Sequence, residues 1–382
     1  MRVVLSTIGK FWTFDLARQM HKRGALTSIY SGYPRFKLKR EGLPKKSIRT
    51  FPYLHAPYMR LSPRNNTARK LWEWQDRLWF DRYVAGRIPD CDILCGLSGC
   101  TLRAGRVVKS RGGKYVCDRG SSHIRVQDRI LREEYDRQGI KFSGIDQRAI
   151  ACEEAEYELA DVITVPSTFS LNTFVESGVS LRKMKVVPYG VDLNTFYPSA
   201  KRIDDEFQIL FVGNVTVRKG IGYLVDAFRK LNCGRKHLVL AGSISSELES
   251  FINELGRDGN VSVMGSVQQQ RLKDVMSTSH VMVLPSVEDG FGLVMAQAMA
   301  CGCPVIASRN TGGQDLFTDG VEGFIVPIRD SSAIADRLQM LADAPALRAR
   351  MSEAAVQRVK SIGGWDQYGE TMYHIFSELI ES

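Results

Sequence analysis

The chain contains 382 residues, which is long for one hydrophobic core and favours two domains of roughly 190 residues each. Apolar residues make up 44% of the sequence and charged residues 25%, a balance typical of globular proteins. A run of about 18 apolar residues is missing, which argues against a membrane-spanning helix. The first apolar run, residues 3–5, is too short for a signal peptide and predicts a strand, so we expect a cytoplasmic protein.

The net charge of +10 is concentrated near the N-terminus. Residues 1–70 contain 16 lysines and arginines but two acids, which gives them a charge of +14 and leaves −4 for the remainder. Over residues 35–80, basic residues alternate with aromatic ones. This pattern suits an anionic membrane surface, which would hold the protein at the inner face of the membrane, or an acidic acceptor. It is equally typical of a solvated basic face, and we expect no nucleic-acid partner.

The eight cysteines are scattered and form no repeated Cys-x-x-Cys pair. Cys91, Cys95 and Cys100 lie close together, but no histidine is near them in the sequence. We therefore interpret the cysteines as small buried thiols in a reducing compartment rather than as zinc ligands, and we predict no metal site.

Strand and helix patterns alternate along the first half of the chain, as in a domain built on a parallel sheet. Residues 32–70 interrupt this order because they are basic, proline-containing and irregular, and we interpret them as a mobile excursion. Strands are expected at residues 3–5, 27–30, 92–97, 114–117 and 162–165, and helices before Gly24 and at residues 70–85, 101–111 and 145–160.

A second alternating series starts at residues 209–212. Residues 185–198 join the two series through a strand, a Pro/Gly turn and a loop, which is typical of a crossing between domains. Both domains are expected to be α/β and Rossmann-like, with parallel sheets. We divide the chain into an N-terminal domain (1–198), a C-terminal domain (199–364) and a terminal helix (365–382).

The most informative stretch is residues 281–308, VMVLPSVEDGFGLVMAQAMACGCPVIAS. An apolar run ends at Pro285, glycines and acids follow, and an Ala/Met-rich segment from Leu293 to Cys301 precedes a second apolar run. This order predicts a strand, a glycine loop, a helix and a strand. A loop at a helix N-terminus offers free N–H groups and about half a positive charge, which favours phosphate.

This stretch resembles the donor-site motif of the family 4 retaining glycosyltransferases, which have the two-domain GT-B fold. The family usually has a glutamate two residues before Phe-Gly and a second glutamate eight positions later, before Ala-Met-Ala-x-Gly-x-Pro-Val. Here the two positions are Asp289 and Gln297, whereas the flanking AMACGCPVIAS fits closely. The resemblance implies two Rossmann-like domains that face a cleft, with a terminal helix that crosses back to the N-terminal domain.

The resemblance also implies roles for individual residues of this stretch. Asp289 would reach the donor sugar, with Glu288 as the alternative by a shift of one residue, and Gln297 would accept ribose hydroxyls. Asp289 could instead cap the helix, and Gln297 could be a buried polar residue of that helix. The diphosphate would be held by the backbone of Gly290, Phe291, Gly292 and Leu293.

A second loop follows the strand at 209–212 and contains two adjacent cations. Arg218, as a planar fork, and Lys219, as a point charge, could neutralise a diphosphate, and the resemblance places the family's phosphate-binding pair on them. Such a pair beside a glycine is also common at a solvated helix start. The remaining implied donor contacts are Gly213 and Asn214 in this loop and Val267 near the nucleotide base.

The N-terminal domain is implied to complete the site from the opposite side. Family members usually carry a Gly-Gly turn after the first strand, and Gly9-Lys10 is a partial match that would cap the leaving phosphate. Many members also have a histidine soon after the strand equivalent to residues 114–117. Asp118 comes first here, and His123 is our candidate near the transferred sugar, with a satisfied loop histidine as the equal alternative.

Together with these patterns, the resemblance implies a metal-independent, retaining transferase that moves a sugar from a nucleotide-sugar co-substrate to a glycan or lipid-linked acceptor in cell-envelope glycan synthesis. Catalytic roles are expected for Arg218, Lys219, Asp289 and His123, and no cofactor is expected besides the nucleotide sugar. Two alternatives stay open. One is a GT-B sugar-nucleotide epimerase, and the other is a non-catalytic sugar-nucleotide-binding partner, since both motif acids are replaced.

Overall fold

Two parallel sheets organise the chain in a computed structural model that describes residues 1–61, 66–200 and 205–381. Within these ranges the first sheet has seven strands in the order β3-β2-β1-β4-β5-β6-β7. They are β1 (Val3–Thr7), β2 (Leu26–Ser31), β3 (Ile48–Thr50), β4 (Ile93–Leu97), β5 (Lys114–Asp118), β6 (Val162–Val165) and β7 (Met184–Val186). The helices of this domain are α1 (Thr13–Lys22), α2 (Pro52–Leu61), α3 (Asn66–Ala85), α4 (Leu102–Ser110), α5 (Ile124–Arg137), α6 (Gln147–Leu159) and α7 (Thr168–Glu176).

The second sheet has six described strands in the order β10-β9-β8-β11-β12-β13. They are β8 (Phe207–Val212), β9 (Lys236–Ala241), β10 (Val261–Gly265), β11 (Val281–Leu284), β12 (Val305–Ser308) and β13 (Gly323–Val326). The helices are α8 (Ile221–Lys230), α9 (Glu249–Leu255), α10 (Gln269–Thr278), α11 (Leu293–Ala300), α12 (Gly313–Leu316), α13 (Ser331–Asp343), α14 (Pro345–Ile362) and α15 (Gly364–Glu381). The α/β class with two parallel sheets is therefore confirmed, and the proposed boundary at 198/199 lies between β7 and β8.

Strand order determines where each domain can bind a ligand. The order reverses between β1 and β4 in the first sheet and between β8 and β11 in the second. In open parallel sheets, ligands bind beyond the carboxyl ends of strands at such a reversal. The loops after β8 and β11, which contain the predicted donor residues, leave the second sheet at this point.

The last helix, α15, packs against α1 of the N-terminal domain, as predicted. The Gln19 amide donates to Asp366 at 2.7 Å, and the Lys22 ammonium lies 3.1 Å from the same carboxylate. Gly369 fits closely against Gln19, because a Cβ at this glycine would lie 2.4 Å from the Gln19 Cβ. The C-terminal helix thus ties the two domains together.

An aromatic cluster fills the junction between the domains, with Tyr189 at its centre. The Tyr189 ring stacks on Trp12 at 4.6 Å and meets Phe291 of the second domain at 5.4 Å. It also lies 5.9 Å from Tyr368 on α15. Because Tyr189, Phe291 and Tyr368 are all buried, the junction is an apolar contact rather than a hydrated gap.

The interpretation of residues 32–70 as a mobile excursion is wrong for most of this segment. Residues 48–50 form β3, an edge strand that pairs with β2, and α2 packs on α3. Buried Ile48 anchors the strand, and the His55 imidazole lies 2.8 Å from the buried Asp76 carboxylate. Residues 62–65 lie outside the described ranges. None of the helices in those ranges combines the length and apolarity needed to cross a bilayer.

Candidate active site

Two loops of the C-terminal domain lie side by side at the strand reversal. Gly220 ends the loop after β8 in the left-handed region (φ 69°), and a Cβ there would lie 2.2 Å from the Pro285 carbonyl oxygen. The amide of Val287 donates to the Arg218 carbonyl at 2.9 Å. Glycine at this turn therefore lets the short helical turn Val217–Lys219 lie directly against the loop after β11.

Arg218 forms an ion pair with Glu288, the residue that the sequence offered as the alternative acid. The Arg218 Nε lies 2.7 Å from the Glu288 carboxylate and 2.9 Å from its carbonyl oxygen. The Arg218 Nη2 reaches Ser121 of the N-terminal domain at 3.3 Å. The guanidinium is thus oriented by groups from both domains.

Glu288 is fully buried and accepts hydrogen bonds across the domain boundary. The hydroxyls of Ser121 and Ser122 each donate to it at 2.7 Å, and the Gln127 amide donates at 3.0 Å. Burial alone would raise the pKa of Glu288, but Arg218 and these three donors lower the pKa to about 2. The carboxylate is therefore ionised at neutral pH and links the two domains.

Lys219 pairs with Asp289, the position that matches the family motif. The Lys219 ammonium contacts the Asp289 carboxylate, and both side chains are mostly buried. The Asp289 amide donates to the Asn310 carbonyl at 3.0 Å, which fixes the backbone of the loop. The structure thus brings Arg218, Lys219, Glu288 and Asp289 together as two adjacent ion pairs.

The glycines after Asp289 bring this loop against the N-terminal domain. A Cβ at Gly290 would lie 2.1 Å from the Gly120 carbonyl oxygen, and the Ser167 hydroxyl donates to the Gly290 carbonyl at 2.5 Å. Gly292 is left-handed (φ 78°) and precedes α11, whose first residue is Leu293. Phe291 points into the aromatic junction and is 1% exposed, so only its backbone can face a ligand.

The other predicted donor residues lie after β8, after β10 and in α11. Gly213 adopts φ 142° directly after β8, and the Asn214 side-chain oxygen accepts from Ser243 at 2.8 Å. Val267 is half-buried two residues after β10. Gln297 is half-buried in the second turn of α11. Their positions on one edge of the sheet agree with a shared ligand site.

On the N-terminal side, the turn after β1 is stabilised from within. The Gly9 carbonyl accepts from the Ser31 and Thr7 hydroxyls, each at 3.4 Å. The Lys10 ammonium lies 2.5 Å from the buried Glu41 carboxylate. Lys10 is therefore engaged by Glu41 in the structure, and a contact to a leaving phosphate would require its release.

The contacts of His123 lie within the N-terminal domain. Its Nδ1 accepts from the Arg125 amide at 3.3 Å, which caps α5, and its ring packs against Tyr157 and Phe174. Only 4% of the residue is exposed, and burial lowers the pKa of His123 to about 4. These contacts agree with the alternative interpretation, in which the histidine makes its hydrogen bond and ring contacts within the protein.

Asp118, at the end of β5, is directed towards the junction instead. Its carboxylate accepts from the Trp12 indole at 2.6 Å and from the Thr164 hydroxyl at 2.9 Å. Burial raises the pKa of Asp118 to about 6, although both donors oppose the shift. Because Trp12 stacks on Tyr189, Asp118 positions the aromatic cluster that borders the site.

The inner face of α5 makes contacts that the sequence analysis missed. Glu134 lies two turns after Gln127 and is fully buried. Its carboxylate meets Arg329 at 2.7 Å and accepts from Tyr223 at 2.9 Å, and both partners belong to the second domain. Within the described ranges, Arg329 is also the non-glycine residue that adopts a positive φ (61°). The sequence does contain a signal for these contacts, because the seven-residue spacing between Gln127 and Glu134 places two polar side chains on one face of the helix.

The cysteines are free thiols in the structure, and six of the eight are buried. Within the described ranges, no group of three or more His, Cys, Asp or Glu side chains could hold a metal ion.

The comparison of this chain with known proteins agrees with the geometry. The sequence pattern of the glycosyl transferases group 1 family matches residues 195–358. The match lies in the C-terminal domain and covers less than half of the chain. The matched residues include both ion pairs, the glycine loop and α11.

Among curated relatives, the chain is 33% identical over 223 residues to a D-inositol 3-phosphate glycosyltransferase of Xylanimonas cellulosilytica, and the match covers 53% of each protein. It is 30% identical over 253 residues to an uncharacterized glycosyltransferase of Methanocaldococcus jannaschii, which covers 62% of this chain and 65% of that protein. The chain thus spans about half to two thirds of the length of these curated relatives.

Solved structures show the fold over the whole chain. The sucrose-phosphate synthase of Thermosynechococcus elongatus has a TM-score of 0.78 at 21% identity and covers 100% of this chain and 99% of its own. The Anabaena protein HepE, solved with UDP and glucose, has a TM-score of 0.74 at 15% identity and covers 99% of this chain and 100% of its own. The GT-B fold is therefore confirmed.

The position of His123 leads to a prediction about pH and turnover. His123→Asn keeps a residue that can cap α5 but removes the titrating ring. The folded-state pKa of His123 is lower than its unfolded value, so the wild-type chain loses stability as pH falls from about 6.5 to about 4. We expect denaturant unfolding to show a weaker loss for His123→Asn across this window.

Donor turnover of the same variant should change by no more than about threefold, as for a residue without substrate contact. A loss of 100-fold or more, with unfolding free energy unchanged at neutral pH, would instead place the ring at the transferred sugar, on the scale of a general acid or base.

Proposed function

We propose that this chain is a retaining glycosyltransferase that moves a sugar from a nucleotide-sugar donor to a glycan or lipid-linked acceptor. The observation that carries the proposal is the pair of cations, Arg218 and Lys219, held beside the glycine loop that precedes α11. This arrangement can neutralise a diphosphate at the carboxyl edge of a parallel sheet. Relatives named as glycosyltransferases, and a structural neighbour solved with UDP and glucose, support the same chemistry.

The proposed mechanism stabilises the leaving group. As the bond between the sugar C1 and the phosphate oxygen breaks, charge develops on the departing nucleoside diphosphate. Lys219, Arg218 and the N-terminus of α11 would stabilise that charge more in the transition state than in the ground state. Fixed cations and helix N–H groups would perform this task, so we propose that transfer needs no divalent metal ion and no cofactor.

Each cation is already paired with a carboxylate in the structure, so a donor diphosphate would have to compete with a carboxylate or use N–H groups that the carboxylate leaves free. Lys219 contacts Asp289, whose motif position is implied to reach the donor sugar. An arriving diphosphate would compete with Asp289 for the ammonium and free the carboxylate for sugar hydroxyls. Arg218 would stay on the buried Glu288 and use its remaining N–H groups.

Lys219→Ala tests the donor site by removing the charge that would contact the diphosphate, and the unfolding free energy is measured as well because Asp289, 14% exposed, loses its partner. We expect donor turnover to fall about 10²–10³-fold, as when one preorganised charge contact is lost. Turnover of a panel of nucleotide sugars and stabilisation against heat by UDP are the measurements. Lys230→Ala is the matched control, since Lys230 contacts two serine hydroxyls at the surface of the same domain.

The alternatives give different results in the same assay. Turnover of the sugar nucleotide without any acceptor would indicate an epimerase. If UDP stabilises the protein against heat but no acceptor extract supports turnover of the sugar nucleotide, the protein is a non-catalytic binding partner. Equal turnover by Lys219→Ala and the wild type would exclude Lys219 from the donor site.

We also propose that the protein works at the cytoplasmic face of an anionic membrane. The apolar side chains of Phe36, Tyr53 and Met59 are 66%, 74% and 57% exposed on the N-terminal domain. They border a surface cavity of about 620 Å³ together with the cations Lys37 and Arg60. Exposed apolar side chains ringed by cations suit a surface of anionic lipid headgroups.

The membrane proposal is tested by replacing Lys37, Lys39, Lys45 and Lys46, all exposed, with glutamine. Each lysine near an anionic surface contributes about 1 kcal/mol, so co-sedimentation with phosphatidylglycerol vesicles should fall by at least about 100-fold in affinity at low salt. The wild-type interaction should weaken with added salt. Equal sedimentation of variant and wild type would rule out this surface.

A further inference from the structure

A second cavity opens next to Arg218, between the two domains. It measures about 570 Å³ and is lined by α3, by residues 142–146 before α6, and by Thr216 and Arg218 of the C-terminal domain. Because Arg218 also belongs to the proposed diphosphate site, a molecule in this cavity would lie beside a bound donor. An acceptor has to lie beside the donor, and this cavity meets that requirement.

Cations dominate the wall of this cavity. Arg69, Lys70 and Arg77 line it from α3, and Arg218 lines it from the opposite domain. The Lys70 ammonium donates to the Ser143 hydroxyl at 2.7 Å, which is a neutral partner. Arg77 lies 3.6 Å from Glu153, and that carboxylate is more closely held by Arg119 at 2.6 Å. Lys70 therefore hydrogen-bonds to a neutral partner, and Arg77 shares its carboxylate with Arg119.

The two carboxylates of the wall are committed to other groups. Asp146 accepts from the Arg148 amide at 2.9 Å and pairs with the Arg148 side chain at 2.6 Å. The hydrogen bonds from Arg148, followed by the nearby charges of Arg148 and Lys70, lower the pKa of Asp146. Glu73 accepts from the Tyr58 hydroxyl. Neither carboxylate is paired with Lys70 or Arg77, so the cavity is suited to an anion.

Two aromatic side chains also line the cavity. Trp74 and Phe142 line it, and the Phe142 ring is held by stacking on Tyr135 at 4.5 Å. The Arg148 guanidinium lies 5.5 Å from the Trp74 ring, which orients the indole. Flat apolar rings beside cations suit a molecule that has both a ring with C–H faces and a negatively charged group.

We infer that this cavity binds the acceptor and that the acceptor is a phosphorylated sugar or polyol, with its phosphate between Lys70 and Arg77 and its ring against Trp74. This inference rests on the proposed transferase function. In the transfer, an acceptor hydroxyl oxygen bonds to C1 of the donor sugar while the bond from C1 to the phosphate oxygen breaks. The hydroxyl proton leaves with the nucleoside diphosphate.

The probe is glucose 1-phosphate, with glucose as its uncharged counterpart, and binding is measured by calorimetry on the full chain without donor. We expect glucose 1-phosphate to bind at least about tenfold more tightly than glucose, because charge-assisted hydrogen bonds add affinity. Lys70→Gln and Arg77→Gln should each remove most of this preference, and Lys230→Gln should retain it. The citronellyl ester of glucose 1-phosphate serves as a lipid-linked analogue, and its affinity is compared with that of glucose 1-phosphate itself.

Tighter binding of the ester would identify a lipid-linked acceptor, and tighter binding of the monoester a soluble one; both support the inference. Equal binding of glucose and glucose 1-phosphate, or an unchanged preference in both variants while UDP still binds, would overturn it. UDP binding is recorded in every variant and in Lys219→Ala. If the wild type does not bind UDP, the result contradicts the donor site and not the acceptor cavity. Failures of the two proposals are therefore distinguishable.

Discussion

The buried carboxylate of Glu288 is the interaction on which the rest of the site depends. An ionised group without solvent costs several kcal/mol unless charges and hydrogen bonds replace the lost water. Here Arg218 supplies the charge, and Ser121, Ser122 and Gln127 supply hydrogen bonds from the other domain. The closed arrangement of the two domains and the orientation of Arg218 therefore depend on the same group.

Other contacts between the domains reinforce this arrangement. Glu134, on the same face of α5 as Gln127, pairs with Arg329 and accepts from Tyr223. The aromatic cluster around Tyr189 and the crossing helix α15 close the opposite side of the junction. Both proposed ligand sites lie along this boundary, because Arg218 borders the loop before α11 on one side and the cationic cavity on the other. Domain closure would bring donor and acceptor together and exclude water.

Much of this structure follows from local patterns in the sequence. The alternation of strands and helices, the loop at residues 285–292 and the terminal helix depend on short-range periodicity and on glycine and proline positions, which the sequence displays directly. The closeness of the two cations to the glycine loop also followed from strand order, whereas their pairing with Glu288 and Asp289 did not. Residues 32–70 were misread because β3 is short and gains its stability from pairing with β2 rather than from its own sequence.

Interactions between distant residues could not be predicted in this way. The match to the family motif pointed to Asp289, whereas Glu288 is the acid of this loop that hydrogen-bonds to the other domain. The local sequence does not show that Ser121 lies opposite it. His123 was chosen by its distance from a strand, but it caps α5 and its ring enters an aromatic pocket. Side-chain direction in a loop depends on tertiary packing, which spacing along the chain does not encode.

The most direct test is Glu288→Gln, studied with Glu249→Gln, an exposed acid on α9, as the control. The amide keeps the shape of the carboxylate but cannot balance Arg218. Small-angle X-ray scattering should show a larger radius of gyration for Glu288→Gln than for the control, and calorimetry should show UDP binding weakened by about tenfold or more. A variant that matches the control in both radius of gyration and UDP affinity would contradict the account.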